Sequence, residues 1–228
     1  MIYISIDIET SGLEYKKHNV LSIGAIIEDT EKKLPFNECP KFNALVVQRE
    51  IVGSPTALVM NSNIISLMSE YIETNNEGRI KLQELENNYP YGYEFHDQDN
   101  VVKAFYWFLY QNGFSEDINF TKDGHSILKN GKFLPVINGN TKPITINVAG
   151  KNFGVFDKLF LQELPWWTKL IRVRQRILDP AILMVNWNLD KSLPPLSVCK
   201  ERAGLNNHVT HNALEDAWDV IEILRKTY

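Results

Sequence analysis

Residues 2–9 read Ile2-Tyr3-Ile4-Ser5-Ile6-Asp7-Ile8-Glu9. Isoleucines alternate with Tyr3, Ser5, Asp7 and Glu9. Period-two alternation with β-branched residues predicts a strand, which Thr10-Ser11-Gly12 ends. Asp7 and Glu9 then point to the same side. Two acids side by side repel each other and are costly to bury. No Lys or Arg stands near them in the strand; the first is Lys16. Hard divalent ions such as Mg²⁺ or Mn²⁺ prefer carboxylate oxygen and would offset the repulsion. Asp-x-Glu is nevertheless common in a chain with 28 acids. Taken alone, the pair fits a solvated strand edge better.

Working outward, Val20 to Ile27 reads as a second strand and Phe42 to Val47 as a third, an antiparallel meander. Ser54-Pro55 has the form of an N-cap followed by Pro at the first helical position. Apolar spacing from Ala57 to Ile72 predicts a helix with a break near Asn61-Ser62-Asn63. The polar stretch 73–98 has no clear assignment. Val101 to Tyr110 reads as an apolar helix closed by Gly113. Residues 115–143 are turn-rich, and Asn130-Gly131 between Ile127-Leu128 and Phe133-Leu134 signals a hairpin, hence a small β insertion. A strand at Ile144 to Val148, a short helix at Phe156 to Leu164 and a strand at Arg176 to Asp179 follow. Leu196 to Arg202 reads as a helix capped by Gly204. The last helix starts near Asn212, with Leu214, Ala217, Trp218, Ile221 and Leu224 as its apolar stripe. A meander followed by alternating helices and strands predicts an α/β fold with a mixed sheet.

The chain has 228 residues, 44% hydrophobic and 23% charged, an ordinary globular composition. No Gly/Ser- or Pro-rich linker divides it, so residues 1–228 are expected to form one domain. No apolar run reaches membrane-spanning length, and the N-terminus has no signal-peptide pattern. Cys39 and Cys199 lack metal-ligand spacing and read as reduced thiols in a cytoplasmic protein. The net charge of −4 argues against tight, sequence-independent duplex binding. It is compatible with an enzyme that holds a few terminal nucleotides.

Three further residues stand out. Asp157 follows a strand and opens a helix, where an acid also simply suits the helix dipole. Asp216 lies one turn into the last helix. Asn212 and Glu215 suggest a variant capping box, which leaves His211 in the loop before the helix, free to reach over a site. An exposed loop histidine is the alternative reading. His18, His96 and His125 read as solvated, and His208 is a minor alternative base.

Together these segments resemble the DEDDh group of ribonuclease H-like 3′→5′ exonucleases. The matching motifs are Asp-Ile-Glu-Thr-Ser-Gly-Leu at 7–13, Asn152-x4-Asp157 continuing into Lys158-Leu159-Phe160-Leu161, and His211-x4-Asp216. The stretch Leu193-Pro-Pro-Leu-Ser-Val-Cys-Lys before the third motif also fits. Residues 73–98 and 115–143 are unmatched elaborations. The three motifs are specific as a set and unspecific singly. The resemblance implies a ribonuclease H-like mixed five-stranded sheet flanked by helices. It also implies two Mg²⁺ (or Mn²⁺) ions, which in such sites stand ~3.5–4 Å apart. Asp7 would bridge both ions, Glu9 and Asp216 would complete the site of the ion carrying the water, and Asp157 would serve the second. His211 would be the general base. The segment Thr10, Ser11, Gly12 and Leu13 would meet the terminal nucleotide, with Leu13 wedged against its base; a simple turn is the other reading. Asn152 is placed to hold substrate or brace the site, and Phe153 and Phe156 to stack a base or fill the core.

The expected activity is metal-dependent hydrolysis at the 3′ end of single-stranded nucleic acid, releasing nucleoside 5′-monophosphates. DNA is set slightly ahead of RNA. RNA trimming or oligoribonuclease-like clearance fits the same five residues, and an accessory subunit of a polymerase is the reading from another class. The basic run Lys169, Arg172, Arg174 and Arg176 suits a phosphate path but fits a solvated face better. Trp166-Trp167 beside it suits a stacking platform or the core.

Overall fold

The computed structural model describes residues 1–77, 92–114, 125–127, 133–135 and 141–228. The strands are β1 (Ile2–Thr10), β2 (Val20–Asp29), β3 (Lys41–Val47), β4 (Glu94–Asp97), β5 (His125–Ile127), β6 (Phe133–Pro135), β7 (Ile144–Ile146), β8 (Val148–Ala149) and β9 (Ile171–Val173). The helices are α1 (Pro55–Met60), α2 (Ser62–Glu77), α3 (Gln98–Gln111), α4 (Asp157–Glu163), α5 (Trp167–Leu170), α6 (Ala181–Met184), α7 (Leu196–Arg202) and α8 (Ala213–Leu224), the last followed by a 3-10 turn, Arg225–Thr227.

The main sheet has five strands in the order β4-β3-β2-β1-β8. β1, β2 and β3 form the expected antiparallel meander. β4 joins β3 and β8 joins β1 in parallel, which makes the sheet mixed. The expected α/β architecture, a mixed five-stranded sheet flanked by helices, is present. β5 and β6 pair antiparallel as the insertion hairpin. Its Asn130-Gly131 turn lies outside the described residues, as does most of the unassigned stretch 73–98.

Local signals hold at the helix ends. The Ser54 hydroxyl accepts from the Ala57 N–H at 3.3 Å, capping α1. The expected break falls on Asn61, whose Nδ2 donates to the Ala57 and Thr10 carbonyls (3.1 and 3.3 Å) and so ties it to the end of β1. Gly113 adopts φ +81°, a left-handed conformation that suits glycine, as α3 closes.

Two expected strands are corrected. Residues 144–148 break at Asn147: β7 pairs with β9, and β8 pairs with β1. Asn147 spends its polar groups on the start of β1. Its Nδ2 donates to the Ile2 carbonyl (3.0 Å), and its carbonyl accepts from the Ile4 N–H (2.9 Å). Among the described residues, Arg176–Asp179 makes only one bridge, Leu178 to Ala149; the strand lies earlier, at Ile171–Val173. The Asp179 carboxylate accepts from the Ala181 N–H at 2.9 Å, which turns the chain into α6 and ends its extension.

The alternation of β1 sorts the two faces of the sheet. Ile4, Ile6 and Ile8 share a core with Val102, Phe105, Phe160, Leu161 and Trp167, under α3, α4 and α5. Tyr3 packs on the opposite side with Leu214, Ala217, Val220, Ile221 and Leu224 of α8. Asp7 and Glu9, on Tyr3's side of the strand, are thereby turned toward α8. Gly24 lets the helix descend there. It is the register partner of Asp7, and a Cβ at this position would stand 2.3 Å from the Ala213 and Leu214 backbone. Only a residue with no side chain lets the start of α8 lie against the strand beside Asp7.

His96 is also corrected. It is buried, not solvated: its Nε2 lies 2.9 Å from Glu94 Oε2, and its ring stacks on Phe42. Pairing of β4 with β3 carries it into the core. Among the described residues, no helix is long and apolar enough to cross a membrane.

Candidate active site

The site forms where β1 runs past the end of β8. The last parallel pairing is Ser5 with Ala149. Beyond it, the Ile8 N–H donates to Asp157 Oδ1 at 3.2 Å, so the first residue of α4 takes the place of a missing strand. From the sheet face, α8 brings Asp216 down on Asp7 and Glu9. Asn212 fixes the start of that helix, its Oδ1 accepting from the Leu214 and Glu215 N–H groups (3.1 and 3.2 Å). Its Nδ2 donates to the Tyr93 hydroxyl at 3.0 Å.

Asp157 and Asp216 are 3% and 5% exposed, Glu9 is 9% exposed, and Asp7 is half-buried. Among the described residues, none of the four carboxylates has a Lys or Arg bonded to it. Burial raises the Asp7 carboxyl well above the ordinary aspartate range, and the charges of Asp157, Asp216 and Glu9 push it further. Glu9 is raised to about 7 by burial and by Asp216 and Asp157, against the pull of the Asn61 side chain. Burial raises Asp157 to about 7, against hydrogen bonds from its own N–H and that of Ile8. Asp216 is raised to about 7 by burial and by Asp219, one turn further along the helix.

The five-residue set read from three distant segments therefore meets in one place. Ligand atoms of Glu9, His211 and Asp216 all lie within 4.8 Å of one another. His211 is exposed and adopts φ +53° in the loop before α8. Asp216 Oδ1 is buried without a hydrogen-bond partner. A buried, unpartnered carboxylate oxygen among four mutually repelling acids fits a divalent cation, the partner that this donor chemistry prefers.

The other expected site residues divide. Thr10 Oγ1 donates to the Gly12 carbonyl (2.8 Å), and the Ser11 hydroxyl donates to the Val52 carbonyl (2.5 Å) while accepting from the Asn19 N–H (2.8 Å). These side chains brace the turn. Gly12 is buried against the His18 ring. Leu13 is 81% exposed and presents its side chain to solvent beside the carboxylates' strand. Asn152 is exposed at φ +59°; its N–H donates to Asp179 (3.0 Å) and its Oδ1 accepts from Lys151 (2.6 Å). Phe153 is fully buried in the core and offers no face to a base; Phe156 packs partly against the same core.

Lys169, Arg172, Arg174 and Arg176 are exposed, as a solvated face requires. Trp167 is buried and stacks on Phe105, whereas the Trp166 ring carries the ammonium groups of Lys103 and Lys169 at 5.1 and 5.2 Å from its centre. Four residues escaped the sequence reading: Gly24, Asn61 as a neighbour of Glu9, and the buried pair of Asp219 with Lys200 (2.5 Å). The i, i+3 spacing of Asp216 and Asp219 was the available signal for the last, because it puts both acids on one helix face.

No protein-family model matches the chain, and no curated protein matches it in sequence. Solved structures do match. A zinc-bound E. coli exonuclease I–single-stranded DNA complex aligns with 99% of this chain at 15% identity and a TM-score of 0.50. A full-length 3′-exonuclease aligns with 99% at 11% identity and a TM-score of 0.54. A 3′-exonuclease in a study of histone mRNA stem-loop recognition aligns with 99% at 11% identity and a TM-score of 0.53. The chain spans 40%, 60% and 80% of those three chains. In the course of its backbone, then, this chain has the fold of the ribonuclease H-like 3′-exonucleases.

Proposed function

We propose that this protein is a metal-dependent 3′→5′ exonuclease that removes nucleoside 5′-monophosphates from single-stranded ends. The observation that carries the reading is the convergence of Asp7, Glu9, Asp157 and Asp216 under His211, with a buried carboxylate oxygen of Asp216 unpartnered. The fold shared with exonuclease structures supports it.

Asp7, Glu9, Asp157 and Asp216 would hold two divalent cations, Mg²⁺ or Mn²⁺. Bound there, such ions supply positive charge to the attacking and leaving oxygens of an in-line displacement. His211, exposed beside Glu9 and Asp216, takes the proton of the attacking water. The water oxygen bonds to phosphorus, the bond from phosphorus to the 3′ oxygen of the preceding nucleotide breaks, and that oxygen takes a proton from solvent to become the new 3′ hydroxyl. Leu13 supports the terminal base. The turn braced by Thr10, Ser11 and Gly12 fixes where that base stops, and Asn152 flanks the strand.

DNA is the favoured polymer, in keeping with the single-stranded DNA held by E. coli exonuclease I. The histone mRNA stem-loop of another similar structure supports RNA as the second reading. Residues 1–228 act as one exonuclease domain. The two free, buried thiols, Cys39 and Cys199, fit a reducing cytoplasmic compartment.

The test uses matched DNA and RNA oligomers labelled at the 3′ or the 5′ end, incubated with Mg²⁺ and with chelator. Mononucleotides released first from the 3′ end, only with metal, are expected. Internal fragments from a circular strand would overturn the assignment.

A further inference from the structure

His211 makes no hydrogen bond through its ring among the described residues, yet its backbone sits at φ +53°. A non-glycine residue stays in that sparsely populated region only when its surroundings over-determine it. The imidazole is therefore placed by the loop, residues 203–212, and something must hold the loop.

The holder is Lys200, in the last turn of α7 and only 6% exposed. Its ammonium donates to Asp219 Oδ2 at 2.5 Å and to the His208 carbonyl at 2.5 Å. Asp219 lies one turn past Asp216 on α8, so one side chain ties α7, α8 and the loop together. Around it, Asn206 Oδ1 accepts from the His208 N–H (3.0 Å), and Asn212 anchors the far end of the loop to Tyr93 (3.0 Å). A lysine has three donors, and one of those used here goes to a loop carbonyl three residues before His211. A pair serving only the packing of two helices has no need of that bond.

We propose that Lys200 is a positioning residue for the reaction: clamped between Asp219 and the His208 carbonyl, it fixes the loop that presents His211 to the carboxylates. This rests on the exonuclease reading above. Lys200 touches neither substrate nor the reacting atoms.

Removing Lys200 alone would strand a buried Asp219, so the test variant is Lys200→Met with Asp219→Leu. Replacing a buried ion pair with apolar groups of similar volume is often neutral for stability, and here it deletes the bond to His208. The variant should melt as the parent does. Its kcat should fall by about 10–10²-fold, part of the general-base contribution, with KM for a short oligomer unchanged. In metal-free protein, amide exchange should quicken over residues 207–211 and stay slow in α8. In a His211→Ala background the double replacement should cost nothing more.

Wild-type kcat in the variant, an equal loss in both backgrounds, or faster exchange throughout α8 would each overturn the proposal. If the parent shows no nuclease activity, the exonuclease reading fails instead. The exchange comparison still reports whether Lys200 holds the loop.

Discussion

The two ends of α8 bury acids in opposite ways. Both ends lie on the same two strands: Tyr3 of β1 pairs with Glu28 at one end, and Asp7 pairs with Gly24 at the other. Glu28 is 1% exposed and fully partnered. It accepts from Arg225 at 2.8 and 2.6 Å and from the Tyr228 hydroxyl at 3.0 Å. At the other end Asp7, Glu9, Asp157 and Asp216 are pressed together with no cation bonded to them among the described residues. Buried charges are ordinarily paired. The Glu28 end follows that rule and closes the fold; the other end breaks it, and repulsion is stored where a divalent ion would relieve it. Strain of this kind concentrates at functional sites.

The contrast fails or sharpens through mutation. Asp7→Asn has the largest expected effect. It should cut nuclease turnover by about 10³-fold or more, because cation-based charge stabilisation is worth several kcal/mol. The same change relieves repulsion, so metal-free protein should melt higher, by about 2–4 °C for each kcal/mol relieved. A lower melting point in calorimetry without metal would break the contrast. His211→Ala should cost about 10²–10⁴-fold in kcat and leave melting unchanged, because the side chain is exposed. Full retained activity would remove His211 from the chemistry.

Arg225→Met tests the paired end. Leaving Glu28 buried without its partner should cost about 3 kcal/mol in denaturant unfolding, while kcat of the folded fraction stays put. Gly24→Ala links the two ends. Its methyl would drive the start of α8 off the sheet, costing about 1–3 kcal/mol and lowering turnover by displacing Asp216. Equal crystal positions of Asp216 in variant and parent would refute that link.

The smallest effect is in pH. Glu9, Asp157 and Asp216 hold their protons to about 7 in the folded protein, against about 4 in an unfolded chain. Between those values the folded state binds more protons than the unfolded. Stability of the metal-free protein should therefore fall as pH rises from about 4 to about 7. Mg²⁺ competes with those protons, so its addition should raise the melting point more at pH 8 than at pH 5. Asp7→Asn should flatten that difference; an unchanged difference would separate the metal effect from these carboxylates.

Much of this was legible in the chain itself. The alternation of β1, the Ser54-Pro55 cap, the Asn61 break and the stripe of α8 are local signals, set by neighbours within a few residues, and each appears in the structure. The misreadings were long-range. Whether residues 144–148 form one strand depends on Asn147 bonding to Ile2 and Ile4, far away in sequence. His96 reads as a polar loop residue until β3 and Phe42 bury it. Phe153 carries no mark that separates a stacking ring from a core ring.

The sequence determined which side of β1 its acids occupy and which residue types could serve the chemistry, because side-chain period and ligand preference are properties of single segments. Only the tertiary structure decided that Asp157 replaces a strand beside Ile8, that Gly24 admits the start of α8, and that Lys200 reaches the His211 loop. These depend on the approach of elements far apart along the chain. The free energy of such approach lies in burial and backbone clearance, which no short stretch of residues encodes.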